Sequence, residues 1–596
     1  MAEQGLTYPY DKAFVLRKQR QLRRELAENP NLTPLRLAIL GGSTTAELAD
    51  LLELFLLDRG FRPVIHQSEY NRFYEDAVVD SASLVAFAPD IVLVYTSSVN
   101  VRSVPNVDTT EADFEKTVAA ELGHWRAVWS GLERALSCQI IQTNFEPPAL
   151  RPLGNLDGLA FGTTHLCARL NQELAKEARS NPKLLVHDVA SLAATLGLAR
   201  GFDPQRWFAY KLVTTPEASV ALAHSLAALT AAALGRSKKC LVLDLDNTLW
   251  GGVIGDDGVD HLVLGRETPQ AEAFVAFQEY CLRLRRRGVL LAVCSKNDDA
   301  TARLGFSHPD TVLRLEDFAA FRANWDPKPD NIRAIAAELN LGLDSLVFVD
   351  DNPAERSIVS AQLPMVAVPD VGTNIAQFPA ILDKSGYFEL ATLSREDRQR
   401  TELYAANAER ANLAARFANY DEYLDSLEMV SEIAAFNAGY LDRVTQLTNK
   451  TNQFNLTTKR YTRAEIERVA ADDAYVAIYG RLVDVFGDNG LVSVIVGRRE
   501  GRELHVDLWL MSCRVIKRGM EHAMHDALVA RARDAGVDTV VGYYLPTEKN
   551  GMVAEHYGAL GFTCVDRSDG GPSRWTLTID ASYVPRNSRI REISRE

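Results

Sequence analysis

The ten residues Leu243–Gly252, LDLDNTLWGG, constrain the fold more than any other part of this sequence. They continue an apolar run that predicts a short buried strand. Residues two apart in a strand share a face, so Asp244 and Asp246 should project together where the strand ends. Open α/β sheets hold their sites at the carboxyl ends of parallel strands. Two carboxylates this close repel unless a cation or a proton intervenes. The string therefore predicts a parallel α/β sheet with an acidic site at its edge.

Three further strings add groups that suit phosphate chemistry. VCSKN ends a predicted strand at Ser295, DPKPDN contains Lys328, and VFVDDNPAE ends another strand at Asp350 and Asp351. A lysine ammonium is a point charge suited to phosphate, and carboxylate oxygens suit a hard cation. Each residue alone could be structural. Their occurrence in this order, each at a strand end or a helix start, favours a single site.

The length of 596 residues predicts three or four domains. Predicted strands alternate with helices in the first block, residues 1–235, and in the second block, residues 236–385. This alternation predicts parallel α/β sheets. In the last block, residues 426–596, the turn sequences GDNG and REG predict an antiparallel sheet and therefore an α+β domain. We expect an α/β multidomain protein with domains at 1–235 and 236–385, a helical linker at 386–425, and a last domain at 426–596.

Composition narrows the class of protein. The net charge of −14 argues against nucleic acid as a partner. No apolar run reaches the roughly 18 residues of a membrane span, so we expect no membrane partner. The seven cysteines form no CxxC pair. This favours a reduced, cytoplasmic location and argues against structural zinc.

From Lys239 to about Leu382, the order of the strings resembles the four motifs of the haloacid dehalogenase (HAD) superfamily. The resemblance implies that Asp244 is the nucleophile and Asp246 the general acid/base. It implies Mg²⁺ as the cofactor, with metal ligands at Asp244, Asp246 (through its backbone carbonyl), Asp350 and Asp351. It implies phosphate or substrate contacts from Ser295, Lys296, Asn297 and Lys328. The short gaps between motifs predict a minimal cap, with WGGVIGDDG as a small flap.

The last block resembles the acyl-CoA N-acetyltransferase (GNAT) fold through FGDNGLVSVIV, LWLMSCRVIKRGM and YLPTEKNGMVAEHYGALGF. That fold binds a phosphate or pyrophosphate on a basic loop that opens a helix. The resemblance implies that pantetheine or a carrier protein binds at Arg514, Lys517, Arg518 and Gly519. The alternative is an ordinary basic helix start. Upstream, RVTQLTNKTNQFNLTTKRYT predicts a polar groove for substrate, or else a solvated helix face, with Asn449, Asn452 and Asn455.

Taken together, LDLDNTLWGGVIGDDG, CSKND, FVDDNPAE, NKTNQFNLTTKRYT and LMSCRV resemble the FkbH-like glyceryl transferase/phosphatases over residues 236–580. The resemblance implies transfer of a glyceryl group from a phosphorylated three-carbon acid, 1,3-bisphosphoglycerate, to the phosphopantetheine thiol of an acyl carrier protein. Dephosphorylation would accompany the transfer, which would supply polyketide biosynthesis. Such transfer can pass through a cysteine thiolate. The candidates are Cys513, beside a cationic helix start, and Cys294, at a strand end.

Two other functions remain open at this point. One is a stand-alone HAD phosphatase with accessory domains, and the other is a non-catalytic scaffold that docks a carrier protein. Carrier-dependent phosphate release would separate the transferase from the plain phosphatase.

The first block resembles the SGNH hydrolases, because GGSTT follows an apolar strand and puts Ser43 where those enzymes keep a nucleophile. Asn100 and Asn144 would be oxyanion-hole candidates. His187 and Asp188 stand in the wrong order for the expected Asp-x-x-His. A serine without a base is a weak nucleophile. We therefore expect a degenerate binding or docking domain here.

Overall fold

The structure is a computed structural model that describes residues 5–393, 400–414, 416–417, 419–451, 453–547, 549–568, 570–580 and 582–593. The chain divides into two compact units, Met1–Ala233 with Thr462–Ala464 and Leu234–Tyr461 with Glu465–Glu596. No helix among the described residues is both long and apolar enough to cross a membrane. The predicted domain boundaries inside the second unit, at 385 and 425, stay predictions.

The first unit is built on a parallel sheet of five strands in the order β2-β1-β3-β4-β5. The strands are β1 (Thr33–Gly41), β2 (Phe61–Gln67), β3 (Ile91–Tyr95), β4 (Gln139–Thr143) and β5 (Leu184–His187). β3 is buried along its whole length, as its run of apolar residues predicts. The helices are Lys12–Ala27, Ala46–Asp58, Ala82–Phe87, Glu111–Ala135, Thr163–Ser180, Val189–Leu196, Leu198–Gly201, Pro204–Tyr210 and Pro216–Ala233.

The second unit contains a parallel sheet of four strands in the order β8-β7-β6-β9. The strands are β6 (Cys240–Leu243), β7 (Leu290–Ser295), β8 (Phe318–Ala323) and β9 (Leu346–Val349). β6 and β9 are buried on both faces, as expected for a sheet covered by helices. The surrounding helices are Ile254–Asp257, Pro269–Arg286, Asp299–Leu304, Lys328–Glu338, Pro353–Gln362 and Phe378–Lys384. The predicted parallel α/β sheet is confirmed.

Residues 239–393 are all described, and they contain no separate cap domain. A flap at residues 250–263 follows β6, held by paired backbone hydrogen bonds between Gly251 and Val263. Gly252, at φ 96°, takes a left-handed conformation that a side chain would strain. The minimal cap predicted from the motif spacing is therefore present as a short flap.

The second unit also contains a mixed sheet of eight strands in the order β15-β16-β14-β13-β12-β11-β10-β17. Its pairs are antiparallel except β13 with β14 and β10 with β17. The strands are β10 (Val430–Ala435), β11 (Tyr475–Asp484), β12 (Gly487–Glu500), β13 (Glu503–Met511), β14 (Thr539–Tyr544), β15 (Thr563–Arg567), β16 (Ser573–Thr578) and β17 (Arg591–Glu592). The remaining helices are Arg400–Ala414, Tyr420–Ser426, Leu441–Lys450, Arg463–Ala471, Met520–Asp534 and His556–Ala559. This is the α+β arrangement that the turn residues predict.

Candidate functional site

Three carboxylates meet at the carboxyl edge of the four-stranded sheet. Asp244 follows β6, and Asp350 and Asp351 follow the neighbouring strand β9. The Asp244 amide donates to the Val349 carbonyl at 3.0 Å, which keeps the two strand ends in register. One carboxylate oxygen from each residue lies within 4.8 Å of the others. The sheet thus brings together three of the four acidic residues that the sequence identified.

Lys328 joins this acidic cluster from the start of the helix Lys328–Glu338. Its ammonium lies 2.9 Å from an Asp244 oxygen and also donates to Asp350. Both the lysine and Asp350 are buried, at 3% and 0% exposure. A single ammonium cannot neutralise three carboxylates, so the cluster keeps excess negative charge in a buried setting.

Burial has the largest effect on the pKa values of the Asp244, Asp350 and Asp351 carboxyl groups. It raises the pKa of the Asp244 carboxyl to about 6, although Lys328 acts in the opposite direction. Burial also raises the pKa values of Asp350 and Asp351, and in each a neighbouring carboxylate adds to the effect. These shifts express the cost of holding several negative charges together away from water.

The cluster fits a divalent ion. Its donors are carboxylate oxygens, the ligands that Mg²⁺ prefers, and a cation would remove the repulsion that raises their pKa values. Asp244, Asp350 and Asp351 would supply side-chain oxygens. The Asp246 carboxylate is directed elsewhere, which is compatible with the predicted use of its backbone carbonyl.

The Asp246 carboxylate is held by three donors. The Trp250 indole and the Ile254 amide donate to one oxygen at 3.0 and 3.1 Å, and Asn297 donates to the other at 2.8 Å. Trp250 and Ile254 belong to the flap, so the flap orients this carboxylate. The sequence indicated neither Trp250 nor the orienting role of Asn297. Asn297 was predicted to contact phosphate, but its amide is directed at Asp246 and, at 3.4 Å, at Ser295.

Ser295 lies in the site, and its hydroxyl is hydrogen-bonded to the Asp244 carboxylate. Its neighbour Lys296 is turned to the surface, where it forms an ion pair with Glu355 at 2.6 Å. Arg356 was not identified from the sequence. Its guanidinium donates to the backbone carbonyls of Asp350 and Asp351, which fixes the loop that carries both carboxylates.

A cavity of about 330 Å³ lies in the same compact unit, between the amino-terminal edge of the four-stranded sheet and the part that carries the eight-stranded sheet. Cys513 and Phe454 line it from one side, and residues 340–345 from the other. Asn340 donates to the Cys513 carbonyl at 2.8 Å. Five cationic side chains line the cavity: Lys239, Arg400, Arg443, Arg514 and Lys549. One carboxylate, Asp344, is paired with Lys549. The lining therefore carries more cationic than acidic side chains.

Cys294, the other candidate nucleophile, lies in the core. It is 0% exposed, and burial raises the pKa of its thiol to about 12. Its sulfur contacts the Lys328 carbonyl at 3.8 Å. A buried neutral thiol is a poor nucleophile, so the structure does not support the predicted catalytic role of Cys294.

The basic loop from Arg514 to Gly519 was predicted to bind pantetheine or a carrier protein, and only some of its residues are placed to do so. Arg514 lines the cavity, and Lys517 is exposed. The Lys517 amide, which a phosphate would use, already donates to the Glu521 carboxylate at 2.8 Å. Gly519 is left-handed, at φ 86°, and precedes the helix Met520–Asp534.

The predicted contact of Arg518 with pantetheine or a carrier protein is not supported by its position. Its buried guanidinium donates to Asp484 at 3.2 Å and to Asn407 at 3.1 Å. Asp484 also binds Arg410, so Arg518 belongs to a buried ion cluster and does not face a ligand.

The amide-rich segment contributes Arg443, Leu447, Thr451, Gln453 and Phe454 to the cavity lining, but two of its predicted asparagines bond the backbone instead. Asn449 donates to the carbonyls of Thr445 and Tyr461, at 3.0 and 2.9 Å. Asn455 is fully buried, and its side-chain oxygen accepts from the Thr458 amide at 2.9 Å. Both side-chain amides therefore satisfy backbone groups. Asn452 lies outside the described residues.

In the first unit, Ser43 is buried, and its hydroxyl is hydrogen-bonded to Tyr95. His187 is engaged with the Ser225 hydroxyl at 2.8 Å, and Asn144 donates to Asp188 at 2.8 Å. Asn100 donates to the Gly42 carbonyl at 2.8 Å. These contacts do not assemble the base that a serine nucleophile needs.

The family FkbH, N-terminal domain, matches residues 36–226. A crystal structure of the N-terminal part of the protein BF1531 from Bacteroides fragilis, containing a phosphatase domain complexed with Mg, is similar at 30% identity and a TM-score of 0.58. This match covers 63% of this chain and 99% of that chain. The ribosomal-protein-S18-alanine N-acetyltransferase from Escherichia coli matches at 12% identity and a TM-score of 0.21, over 26% of this chain and 97% of that one. No curated protein matches the sequence.

Proposed function

This chain belongs to the FkbH-like family of HAD-fold phosphatase proteins, and we propose that it transfers a glyceryl or related acyl group from a phosphorylated three-carbon donor to the thiol of an acyl carrier protein, with dephosphorylation. The similarity to the BF1531 phosphatase domain shows the HAD phosphatase fold. The observation that carries the rest is the position of Cys513, which lines a cationic cavity in the same compact unit as the carboxylates.

Phosphate removal would occur at Asp244. Its carboxylate oxygen attacks phosphorus, the bond from phosphorus to the substrate oxygen breaks, and Asp246 gives a proton to the leaving oxygen. Water then attacks the aspartyl phosphate, giving its proton to Asp246 and releasing inorganic phosphate. The Ser295 hydroxyl donates a hydrogen bond to a phosphoryl oxygen, and the Lys328 ammonium offsets the negative charge of the phosphoryl oxygens as it changes. Bound Mg²⁺, held by Asp244, Asp350 and Asp351, would supply further charge neutralisation.

Acyl transfer would occur at Cys513. Its thiolate attacks the carbonyl carbon of an acyl phosphate, the carbon–oxygen bond to phosphate breaks, and inorganic phosphate leaves with the electron pair. The thiolate of the carrier's pantetheine arm then attacks the thioester and releases the Cys513 thiolate. The cationic side chains Lys239, Arg514 and Lys549 support this role, because both the donor and the leaving phosphate are anions.

We further propose the polyketide pathway as the destination of the acyl group, on the family resemblance alone. The acyl donor that we propose is 1,3-bisphosphoglycerate, because this molecule has an acyl phosphate at one end and a phosphate ester at the other.

The test is intact-protein mass spectrometry of a carrier protein bearing phosphopantetheine, incubated with the chain, Mg²⁺ and 1,3-bisphosphoglycerate. We expect the carrier to gain one acyl group, and Cys513→Ser to abolish the gain. Cys564→Ser is the matched control, because Cys564 is exposed and does not line the cavity. Loading that persists in Cys513→Ser would refute the cysteine assignment. Phosphate release with no loading would favour a stand-alone phosphatase.

A further inference from the structure

Trp325 is an exposed tryptophan at the edge of the sheet that holds the carboxylate cluster. It follows β8, two residues after Ala323, which pairs in register with Ser295 at the end of β7. The Trp325 side chain is 75% exposed. Tryptophan side chains are highly buried on average, because burial of so large an apolar surface is favourable. An exposed tryptophan beside a proposed phosphate contact is therefore a candidate for contact with a ligand.

The loop that carries Trp325 is fixed by hydrogen bonds within the chain. Asn324 and Asn331 exchange side-chain hydrogen bonds at 3.1 and 2.7 Å, and Asn331 is buried. The Asn324 amide donates to the Ser295 carbonyl at 3.2 Å. The Asp326 amide donates to the Asn324 side chain at 3.0 Å. A side chain on a fixed loop loses less conformational entropy when a ligand binds, so this arrangement favours a binding contact.

The order of the strands sets how far the Trp325 loop lies from the reacting phosphorus. β7 separates β8 from β6, so two interstrand spacings of about 4.8 Å put this loop roughly 10 Å from Asp244. Lys328, three residues after Trp325, spans this gap, because its ammonium lies 2.9 Å from an Asp244 oxygen. A three-carbon acyl group with its phosphate is about as long as two extended residues, roughly 7 Å. With phosphate at Asp244, the far end of such a group, the end remote from phosphorus, therefore comes to the Trp325 loop.

The loops around Trp325 carry a net negative charge. Lys296 pairs with Glu355 at 2.6 Å, and Arg303 pairs with Asp299 at 2.7 Å. Further exposed carboxylates lie on the flap, after β7 and beside Trp325: Asp256, Asp257, Asp298 and Asp326. Like charges repel, so a carboxylate at the far end of the substrate is disfavoured here. An uncharged far end avoids this repulsion, and a planar ester or amide group can stack on the indole.

We infer, on the basis of the phosphatase half of the proposed function, that Trp325 determines specificity at this site. Its indole contacts the far end of the substrate and selects an uncharged, planar group over a free carboxylate. Ser295 and Lys328 bind the phosphoryl oxygens, so the two contacts act on opposite ends of one molecule. The substrate class is a phosphate monoester whose acid is masked as an ester, thioester or amide. Trp325 touches no reacting atom and acts on binding alone.

The experiment measures phosphate release by the full chain with Mg²⁺ from two probes, 3-phosphoglycerate and its methylamide. The far end is a carboxylate in the first probe and an uncharged, planar amide in the second. We expect wild type to have the lower KM for the methylamide. Trp325→Ala should raise this KM about tenfold with kcat within about twofold, because binding lost equally from the ground and transition states appears in KM. Trp325→Phe keeps an aromatic ring and should recover most of the affinity.

Phe208→Ala is the matched control, because Phe208 is 76% exposed and lies in the first unit. Its KM and kcat should equal those of wild type. Melting temperatures should also match, because the replaced side chains are exposed. Salt gives a second readout: the ratio of the two KM values should approach one as ionic strength rises, because salt screens exposed charges.

Equal KM values of Trp325→Ala and wild type for the methylamide would overturn the inference and leave the phosphatase function standing. A lower KM of wild type for 3-phosphoglycerate than for the methylamide would overturn the inference in the same way. Release of phosphate from neither probe by wild type would overturn the inference together with the phosphatase function.

Discussion

Asn297 donates a hydrogen bond to the Asp246 carboxylate at 2.8 Å, and this contact changes the role that the sequence suggests for the asparagine. An asparagine that binds phosphate would contact the substrate directly. The observed asparagine instead orients the general acid/base, together with Trp250 of the flap. The two roles make different kinetic predictions.

For Asn297→Ala we expect kcat for phosphate release to fall about 10–100-fold, because a misplaced general acid/base loses much of its contribution. KM for the phosphate ester should change little. The measurement is steady-state phosphate release with Mg²⁺ present. A variant with wild-type kcat and a raised KM would instead support the phosphate contact.

Lys328 should be replaceable in part by a divalent ion. Lys328→Met leaves the carboxylates of Asp244 and Asp350 without their ammonium, which should cost about 3–5 kcal/mol of stability in chelator. Added Mg²⁺ should recover more of the melting temperature in the variant than in wild type. The control is Lys296→Met, which removes a surface ion pair worth about 1 kcal/mol or less. Equal melting temperatures of Lys328→Met and wild type in chelator would count against the buried ion cluster.

Arg518 should affect stability more than carrier recognition. Arg518→Met removes one of two guanidinium groups on the buried Asp484 and should destabilise the chain by about 3 kcal/mol. KM for the carrier should not change in molecules that remain folded. Lys517→Ala, at an exposed neighbour, should keep the melting temperature and raise KM for the carrier. The opposite pattern would restore Arg518 as a carrier contact.

Ser43 should be inactive as a nucleophile. We expect the full chain to show no hydrolysis of short esters above that of Ser43→Ala, because Tyr95 and not a histidine is bonded to the serine. The measurement is release of a chromogenic alcohol from an acetyl ester. Hydrolysis that disappears in Ser43→Ala would show a working esterase.

The sequence predicted which residues meet at the edge of the four-stranded sheet, because most of them follow buried strands directly. A strand end fixes the position of the next residue, so Asp244, Ser295 and Asp350 could be placed by counting. Lys328 was identified because it opens a helix in the same order of motifs. These residues depend on local geometry and on one sheet.

Other features depended on remote partners and could not be predicted. Arg518 is buried because Asp484 and Asn407 meet it in the folded chain. Asn449 and Asn455 bind backbone carbonyl and amide groups, which a composition of amides does not distinguish from ligand contacts. The cavity unites Lys239 with Cys513, 274 residues apart in the sequence. No spacing rule connects such distant positions.

The most direct test of the central claim is to trap the phosphoryl group. The chain is mixed with a phosphate ester labelled in its phosphoryl group and Mg²⁺, quenched in acid within one turnover, and digested for peptide mapping. We predict label on the peptide that contains Asp244, lost on treatment with hydroxylamine and absent in Asp244→Asn. Continued phosphate release by Asp244→Asn, or turnover of wild type with label on another residue, would contradict the claim.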